Sequence, residues 1–254
     1  MRALRNLLLG MAAAGATFGS ALAAGGTPTP PTQHWSFERI FGTYDLAAAQ
    51  RGFQVYSEVC AACHSLTFVH YRQLTGIGLS PEQIKAVAAA VTVPQGLDDQ
   101  GSPKEGPGTP ASKFKAPFPN EIAARAGNNG AYPPDLSLMV NSRVSGADYL
   151  YGLMTGYGTA PANIAMQDGM YYNKYFTGHQ IAMPQPLQDG QVTYADGTTA
   201  SVEQMARDVT TFLAWTANPE LVERKQIGVR VILFLLLMTG LTYAVKRKVW
   251  SDVH

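Results

Sequence analysis

Both cysteines of the 254-residue chain fall in one short motif, Cys60-Ala61-Ala62-Cys63-His64. Two thiols three positions apart, followed at once by an imidazole, form the C-x-x-C-H attachment motif of c-type haem. At a helix end, each thiol can form a thioether bond with a haem vinyl group while His64 is carried beneath the iron. The spacing therefore predicts one covalent haem c, held by Cys60, Cys63 and His64.

Three other interpretations of the motif are weaker. A structural zinc site needs about four ligands, and the sequence offers no second Cys/His pair. A thiol oxidoreductase would use the same cysteine pair, but it expects a strand leading into the motif within a βαβ pattern, whereas a helical pattern leads in here. A chance occurrence of the motif is disfavoured because every cysteine of the chain lies inside it.

The residue on the other face of the iron decides between electron transfer and ligand chemistry. Met183 lies in an irregular loop that Pro184 and Pro186 stiffen. Its thioether would favour reduced iron and raise the reduction potential relative to a second imidazole. Other methionines, Met139, Met154 and Met205, sit at helical spacing and are predicted to fill the core. Position alone also leaves open Met166, Met170, His34, His70 and His179.

The elements that must position these side chains are mostly helical. A helix capped by Asp45 runs straight into Cys60, and a second begins at Ser80 with a capping box and continues to about Val91. Further helices are predicted over 120–126, 135–144, 147–155 and 201–217. Segment 94–119 contains six prolines and four glycines, which predicts an irregular insertion with neither helix nor strand. The predicted fold class is mainly α.

Both ends of the chain carry targeting patterns. Basic residues, an apolar stretch and small residues at 21–23 predict a signal peptide over 1–23, because the stretch is too short for a membrane anchor. Residues 225–246 are predicted to form a transmembrane helix, since a buried core helix would alternate with a polar face. The basic run at 246–248 places the tail, 247–254, in the cytoplasm. Residues 24–224 are then the exported haem domain.

Charge distinguishes classes of partner. The whole chain has 19 basic and 18 acidic residues, which gives no electrostatic argument for binding nucleic acid. Residues 24–226 contain 13 Lys or Arg against 17 Asp or Glu, so the exported part is mildly acidic. Such a surface suits a basic soluble partner.

Several longer motifs closely resemble the cytochrome c1 family. They are Arg-Gly-Phe-Gln-Val-Tyr at 51–56 leading to the haem motif, Ala-Arg-Ala-Gly-Asn-Asn-Gly-Ala-Tyr-Pro-Pro-Asp-Leu-Ser at 124–137, Gly-Met-Tyr-Tyr-Asn at 169–173, Ile-Ala-Met-Pro at 181–184, and Arg-Lys at 224–225. The resemblance runs from about Gly42 to Trp250. The haem motif is shared by all c-type cytochromes, but the block at 124–137 is far more specific.

The resemblance implies a class I cytochrome c-like haem domain with long loop insertions and one C-terminal transmembrane helix. It implies a bacterial inner-membrane protein with the haem domain in the periplasm. Carried over by position, Cys60 and Cys63 form the thioethers, His64 and Met183 are the axial ligands, Arg125 pairs with a haem propionate, and Tyr132 belongs to the cofactor site.

By the same resemblance, the chain is an electron-transfer subunit of the quinol:cytochrome c oxidoreductase, the cytochrome bc1 complex. Its expected neighbours are a cytochrome b subunit, the Rieske iron-sulfur protein, a soluble or membrane-tethered cytochrome c and the lipid bilayer, within a dimeric complex. The subunit would bind no quinol and have no catalytic residue, so by itself it is an electron carrier. The alternatives are a stand-alone membrane-anchored cytochrome serving a terminal oxidase or reductase, and a haem enzyme with an open iron position.

Two features depart from some family members. The extra cysteine pair that ties down the ligand loop in some bacterial members is absent. The insertion 94–119 has mixed charge, which does not favour a simple acidic docking patch there.

Overall fold

The computed structural model describes residues 28–252, so the predicted signal peptide lies outside the described residues. Within that range the chain is mainly helical, as predicted. Its α-helices are α1 (Leu46–Glu58), α2 (Pro81–Ala89), α3 (Glu121–Gly127), α4 (Gly146–Thr155), α5 (Val202–Ala217) and α6 (Leu221–Val249). Short 3₁₀ helices cover Cys60–Ala62 and Tyr71–Ile77. The strands form two antiparallel hairpins, β1 (Thr92–Leu97) with β2 (Pro103–Pro107), and β3 (Tyr171–Tyr172) with β4 (Gln180–Ile181).

The core is centred on the crossing of α1 and α5. A Cβ atom on Gly52 would lie 2.0 Å from the Asp208 carbonyl oxygen, so only glycine allows this approach of the two helices. One residue earlier, the Arg51 guanidinium donates to both carboxylate oxygens of Asp208, at 2.9 and 3.0 Å. Asp208 is fully buried and would be unstable there without this paired cation. The crossing holds α1, and therefore the motif that follows it, in a fixed orientation.

Local signals placed the helix starts correctly. Asp45 accepts a hydrogen bond from the Ala48 amide at 3.1 Å, and Ser80 forms the expected capping box with Gln83. Asn120 and Ser201 cap α3 and α5 in the same way. Because these caps satisfy otherwise unpaired amides, they define the first turn of each helix.

Two local predictions were wrong. The first part of segment 94–119 contains the hairpin of β1 and β2 and not an irregular chain; its prolines are tolerated because a two-stranded ribbon leaves its outer edges unpaired. Residues 135–144 form turns and not a helix. There the Asp135 carboxylate binds groups elsewhere in the chain instead of capping a helix.

Helix α6 extends well away from the core. None of its residues is buried, and its apolar side chains from Val231 to Leu237 are about half to two thirds exposed. It is long and apolar enough to cross a membrane. It begins at Leu221, four residues before the predicted transmembrane segment, and residues 218–220 separate it from α5.

Candidate haem site

The haem motif forms a single tight turn directly after α1. The α-helix ends at Glu58, and Cys60–Ala62 continue as a 3₁₀ turn. The amides of Cys63 and His64 both donate to the Cys60 carbonyl, at 3.1 and 2.9 Å. This turn brings the two thiols and the imidazole to one end of α1. Cys60 is half-buried and Cys63 is exposed, and neither is in a disulfide.

The His64 ring is fixed by a backbone group 70 residues away. Its Nδ1 lies 2.8 Å from the Pro134 carbonyl oxygen. Because a carbonyl can only accept a hydrogen bond, Nδ1 carries the proton and Nε2 keeps its lone pair. Burial lowers the pKa of His64, while Pro134 and Asp135 oppose that shift. The neutral ring therefore presents a free nitrogen of the kind that binds iron.

The Asp135 carboxylate links the segment that contains Pro134 to the residues that follow the haem motif. One of its oxygens accepts from the Ser65 hydroxyl and from the amide and hydroxyl of Thr67, each at 2.8 Å, and the other accepts from the Ser137 amide at 2.8 Å. Burial alone would raise the pKa of Asp135, but the hydrogen bonds from Ser137, Thr67 and Ser65 outweigh it and lower the pKa. The ionised carboxylate thus holds Pro134 against His64.

Met183 lies on a loop whose backbone is held by its own hydrogen bond, independent of those around His64. Its backbone carbonyl accepts a hydrogen bond from the Tyr157 hydroxyl at 3.0 Å. Burial raises the pKa of Tyr157, so the phenol remains a donor. Met183 follows β4 by two residues, so the β3–β4 hairpin determines where its side chain begins.

Asn173, which is fully buried, anchors that hairpin to the end of α4. Its side-chain amide donates to the Leu153 carbonyl at 2.7 Å, and its side-chain oxygen accepts from the amides of Tyr175 and Phe176. The backbone amide of Asn173 also donates to the backbone carbonyl of His179. These hydrogen bonds fix the β3–β4 hairpin against the end of α4.

Arg125 and Tyr132 contact each other at the edge of α3. The Arg125 guanidinium donates to the Glu121 carboxylate and to the Gly130 carbonyl, and it lies over the Tyr132 ring at 5.5 Å from the centroid. All three of its nitrogens therefore have partners. A propionate at this position would have to share these donors or displace Glu121. The side chains of Arg125 and Tyr132 are each about half exposed.

Five of the other candidate ligands occupy structural positions. Met139 and Met205 are buried in the core and Met154 packs against it, which confirms the interpretation of their helical spacing. His70 caps the 3₁₀ helix Tyr71–Ile77. His179 stacks on Tyr172. Met170 and His34 are exposed and Met166 is half-buried, so burial does not single out Met183, and its role as axial ligand stays a prediction.

The residues present fit a covalently attached haem. Two uncrosslinked thiols share one turn with an imidazole whose Nε2 is free, which is the donor set that such attachment requires. Burial, and then the neighbouring Cys63, raises the pKa of the Cys60 thiol to about 12, so the free thiol is neutral. Within residues 28–252, no group of three or more His, Cys, Asp or Glu side chains is arranged to hold a bare metal ion.

Comparison with known proteins agrees with this chemistry. The model of the Cytochrome C1 family matches residues 35–253. The chain belongs to the cytochrome c1 family. It is 44% identical over 251 residues to cytochrome c1 of Rhodospirillum rubrum, covering 92% of each chain. It is also 46% identical over 224 residues to the mitochondrial cytochrome c1 heme protein of Saccharomyces cerevisiae, covering 88% of this chain and 72% of the yeast protein.

A further relative is longer than this chain. The protein named cytochrome b/c1 in Bradyrhizobium diazoefficiens is 43% identical over 279 residues. That alignment covers all of this chain but only 41% of the Bradyrhizobium protein. The c1-like sequence therefore accounts for less than half of that relative.

As a member of the cytochrome c1 family, the chain is the haem-carrying electron-transfer subunit of a cytochrome bc1 complex, and its cofactor is one covalent haem c. These predictions are confirmed, and the stand-alone cytochrome is not favoured. The apolar α6 and the bacterial cytochrome c1 relatives agree with a membrane protein.

Sequence reasoning missed the groups that position the site. Pro134 and Asp135 lie within the motif at 124–137, but nothing in the local sequence indicates that they reach His64 and Thr67. Asn173 and Tyr157 were likewise given no role of their own. The available sequence signal is the Pro-Pro-Asp run at 133–135, which predicts a constrained turn but does not identify its partners.

Proposed function

We propose that Cys60 and Cys63 bind the haem through thioether bonds and that His64 and Met183 are its axial ligands. The observation that carries this proposal is the hydrogen bond from His64 Nδ1 to the Pro134 carbonyl, which leaves Nε2 available and stops the ring from rotating. When bound, haem iron supplies one-electron transfer. The protein contributes the fixed imidazole, the anchored Met183 loop and the two covalent attachments.

Two axial side chains leave no coordination position for a substrate. The chain therefore acts as an electron carrier within the oxidoreductase and binds no quinol. Arg125 and Tyr132 complete the site by offering a cation and a ring at its edge. Arg125 serves a propionate by sharing the guanidinium that now binds Glu121, because a charge-assisted hydrogen bond is stronger than one to a neutral donor.

The proposed electron route has three neighbouring proteins. The haem receives an electron from the Rieske iron-sulfur protein and passes it to a soluble or membrane-tethered cytochrome c, beside a cytochrome b subunit in a dimeric complex. The acidic excess of residues 24–226 supports a basic electron acceptor, since complementary charge steers encounter.

The proposed location is a bacterial inner membrane crossed once by α6. The basic residues Lys246, Arg247 and Lys248 at the end of the helix support a cytoplasmic C-terminus. The predicted signal peptide supports export of the haem domain to the periplasm.

Purification from membranes in mild detergent tests the assembly. We expect the chain to co-elute with a dihaem cytochrome b and an iron-sulfur subunit, with a c-type haem signal in the reduced-minus-oxidised spectrum. Isolation of the haem chain alone, with rapid carbon monoxide binding after reduction, would contradict both the partners and the axial ligation.

A further inference from the structure

An exposed apolar turn lies beside the start of the membrane helix. Residues 36–42, which we call the juxtamembrane turn, contain Ile40 and Phe41 at 72% and 81% exposure. These are among the most exposed large apolar side chains outside α6. Two adjacent apolar side chains at a turn tip require an explanation when none of residues 28–252 covers them.

The turn has a defined structure. The Gly42 amide donates to the Arg39 carbonyl at 2.8 Å, and the Asp45 amide donates to the Ser36 hydroxyl at 3.1 Å. A Cβ atom on Gly42 would lie 2.6 Å from the Ser36 carbonyl oxygen, so the turn closes tightly on itself. Its tip is therefore presented by a fixed backbone.

Lys225 fastens this turn to α6. The Lys225 ammonium donates to the carbonyls of Phe37 and Arg39, each at 2.6 Å, and lies 3.3 Å from the Gly42 carbonyl. An ammonium has three donors, and three backbone acceptors surround it here. The turn and the first turns of the membrane helix are consequently held together.

The position along α6 determines the depth of the turn. An α-helix rises 1.5 Å per residue, and crossing about 30 Å of hydrocarbon takes the whole apolar stretch that starts at Ile227, about 3 Å further along the axis than Lys225. The polar headgroup layer is roughly 5–8 Å thick on each side of the hydrocarbon. Lys225, and the turn bound to it, lie at the level of the headgroups when α6 spans the membrane.

We propose that the juxtamembrane turn is a second membrane contact, with Ile40 and Phe41 inserted at the boundary between headgroups and acyl chains. The partner is the lipid surface and not another protein. Two side chains form far less than the ~800 Å² per partner of a stable protein interface. They match instead the shallow apolar anchors of interfacial segments.

Charge plays a minor part in this contact. Arg39 and Arg224 are exposed near the turn, but so are Glu38 and Glu223. The basic and acidic residues offset each other, so apolar insertion supplies the attraction. Neutral phosphatidylcholine is therefore a sufficient lipid for the test.

A site-specific fluorophore distinguishes lipid, protein and water at the tip. The haem-loaded complex carrying Phe41→Cys is labelled and reconstituted into phosphatidylcholine vesicles with or without brominated acyl chains. The matched control is Leu97→Cys, an apolar residue on β1 that is 68% exposed. The unsubstituted complex reports any labelling of the native thiols.

We expect brominated lipid to reduce the fluorescence at position 41 about twofold, as for a side chain buried ~5–10 Å in the interface. Position 97 should be unaffected by brominated lipid and accessible to aqueous iodide. The proposal is overturned if position 41 is as accessible to iodide as position 97, or if it is shielded from both quenchers, which would mean that a protein covers the turn. Ile40→Cys provides a second reporter on the same tip, judged by the same outcomes.

Discussion

The state of the His64 ring follows from a backbone group and not from another side chain. A carbonyl cannot change its protonation state, so the Pro134 oxygen requires a proton on Nδ1 at every pH at which the ring is neutral. The free nitrogen is consequently always the one directed away from Pro134. This arrangement gives the motif a single orientation of its imidazole.

Met183→Leu tests the second axial ligand. Leucine fills a similar volume but has no sulfur, so we expect the haem potential to fall by more than about 0.1 V within the ~0.8 V range that axial ligands span. Redox titration of the purified complex measures this. Met170→Leu is the matched control, because Met170 is exposed in the preceding turn and should leave the potential unchanged. An unchanged potential in Met183→Leu would remove Met183 from the site.

Asp135→Asn tests the carboxylate that holds Pro134 in place. The folded-state pKa of Asp135 lies below its ordinary value of 3.8, so the ionised form stabilises the fold above that pH and the benefit is lost as pH falls through the folded pKa. We expect the variant to lose about 2 kcal/mol at neutral pH, because hydrogen bonds to a charged group are weakened.

Denaturant unfolding, measured as a function of pH, separates this effect from a general loss of packing. The stability difference between the natural protein and Asp135→Asn should shrink as the pH is lowered below 3.8. A difference that stays constant from neutral to acid pH would show that the ionised carboxylate is not the stabilising group.

Among the helices, the close crossing of α1 and α5 depends on one small residue, Gly52. Gly52→Ala should cost about 2–4 kcal/mol, because the new Cβ atom overlaps the Asp208 carbonyl and the helices must separate. For a chain of this size we expect the melting temperature to fall by about 5–10 °C.

Gly158→Ala is the matched control for that change. A Cβ atom there has no neighbour within 4 Å, so its melting temperature should change by less than about 2 °C. Equal melting temperatures for both variants, measured by circular dichroism, would contradict the close crossing of α1 and α5.

The β3–β4 hairpin positions the Met183 loop through Asn173. Asn173→Ala removes the side-chain hydrogen bonds to Leu153, Tyr175 and Phe176, so the loop should open and the reduced haem should bind carbon monoxide. Asn163→Ala, an exposed residue of the same connecting segment, should leave carbon monoxide binding absent. If both variants exclude carbon monoxide equally, Asn173 does not secure the ligand loop.

Features encoded within a few neighbouring residues could be predicted from the sequence. The caps at Asp45, Ser80 and Ser201 satisfy nearby amides, and the predicted starts of their helices are confirmed. The thiols and imidazole of the haem motif are likewise local. Their assignment as ligands stays a prediction, although the cofactor itself is confirmed by the family.

Features that depend on distant partners could not be predicted. The carboxylate of Asp135 binds Ser65 and Thr67 about 70 residues away, so the helix predicted after it was wrong. The hairpin of β1 and β2 was missed because its prolines resemble an irregular loop until the pairing of the two strands is known. The Pro134 carbonyl carries no side-chain signal at all.

For the whole molecule, the membrane helix and the haem domain form one functional unit. Lys225 belongs to α6 yet binds the turn that precedes α1, so the orientation of α6 is coupled to the orientation of the haem motif. This coupling would keep the haem at a constant height above the membrane. A fixed height suits a carrier that exchanges electrons with neighbouring subunits.

Every role proposed for the site requires that haem be joined to Cys60 and Cys63. Trypsin releases both in one peptide, residues 52–72, because no Lys or Arg lies between Arg51 and Arg72. After acid-acetone extraction, mass spectrometry of the purified chain should find this peptide carrying one haem with both thiols blocked to alkylation. Pigment lost to the extract, with both thiols alkylated, would contradict covalent attachment of the haem.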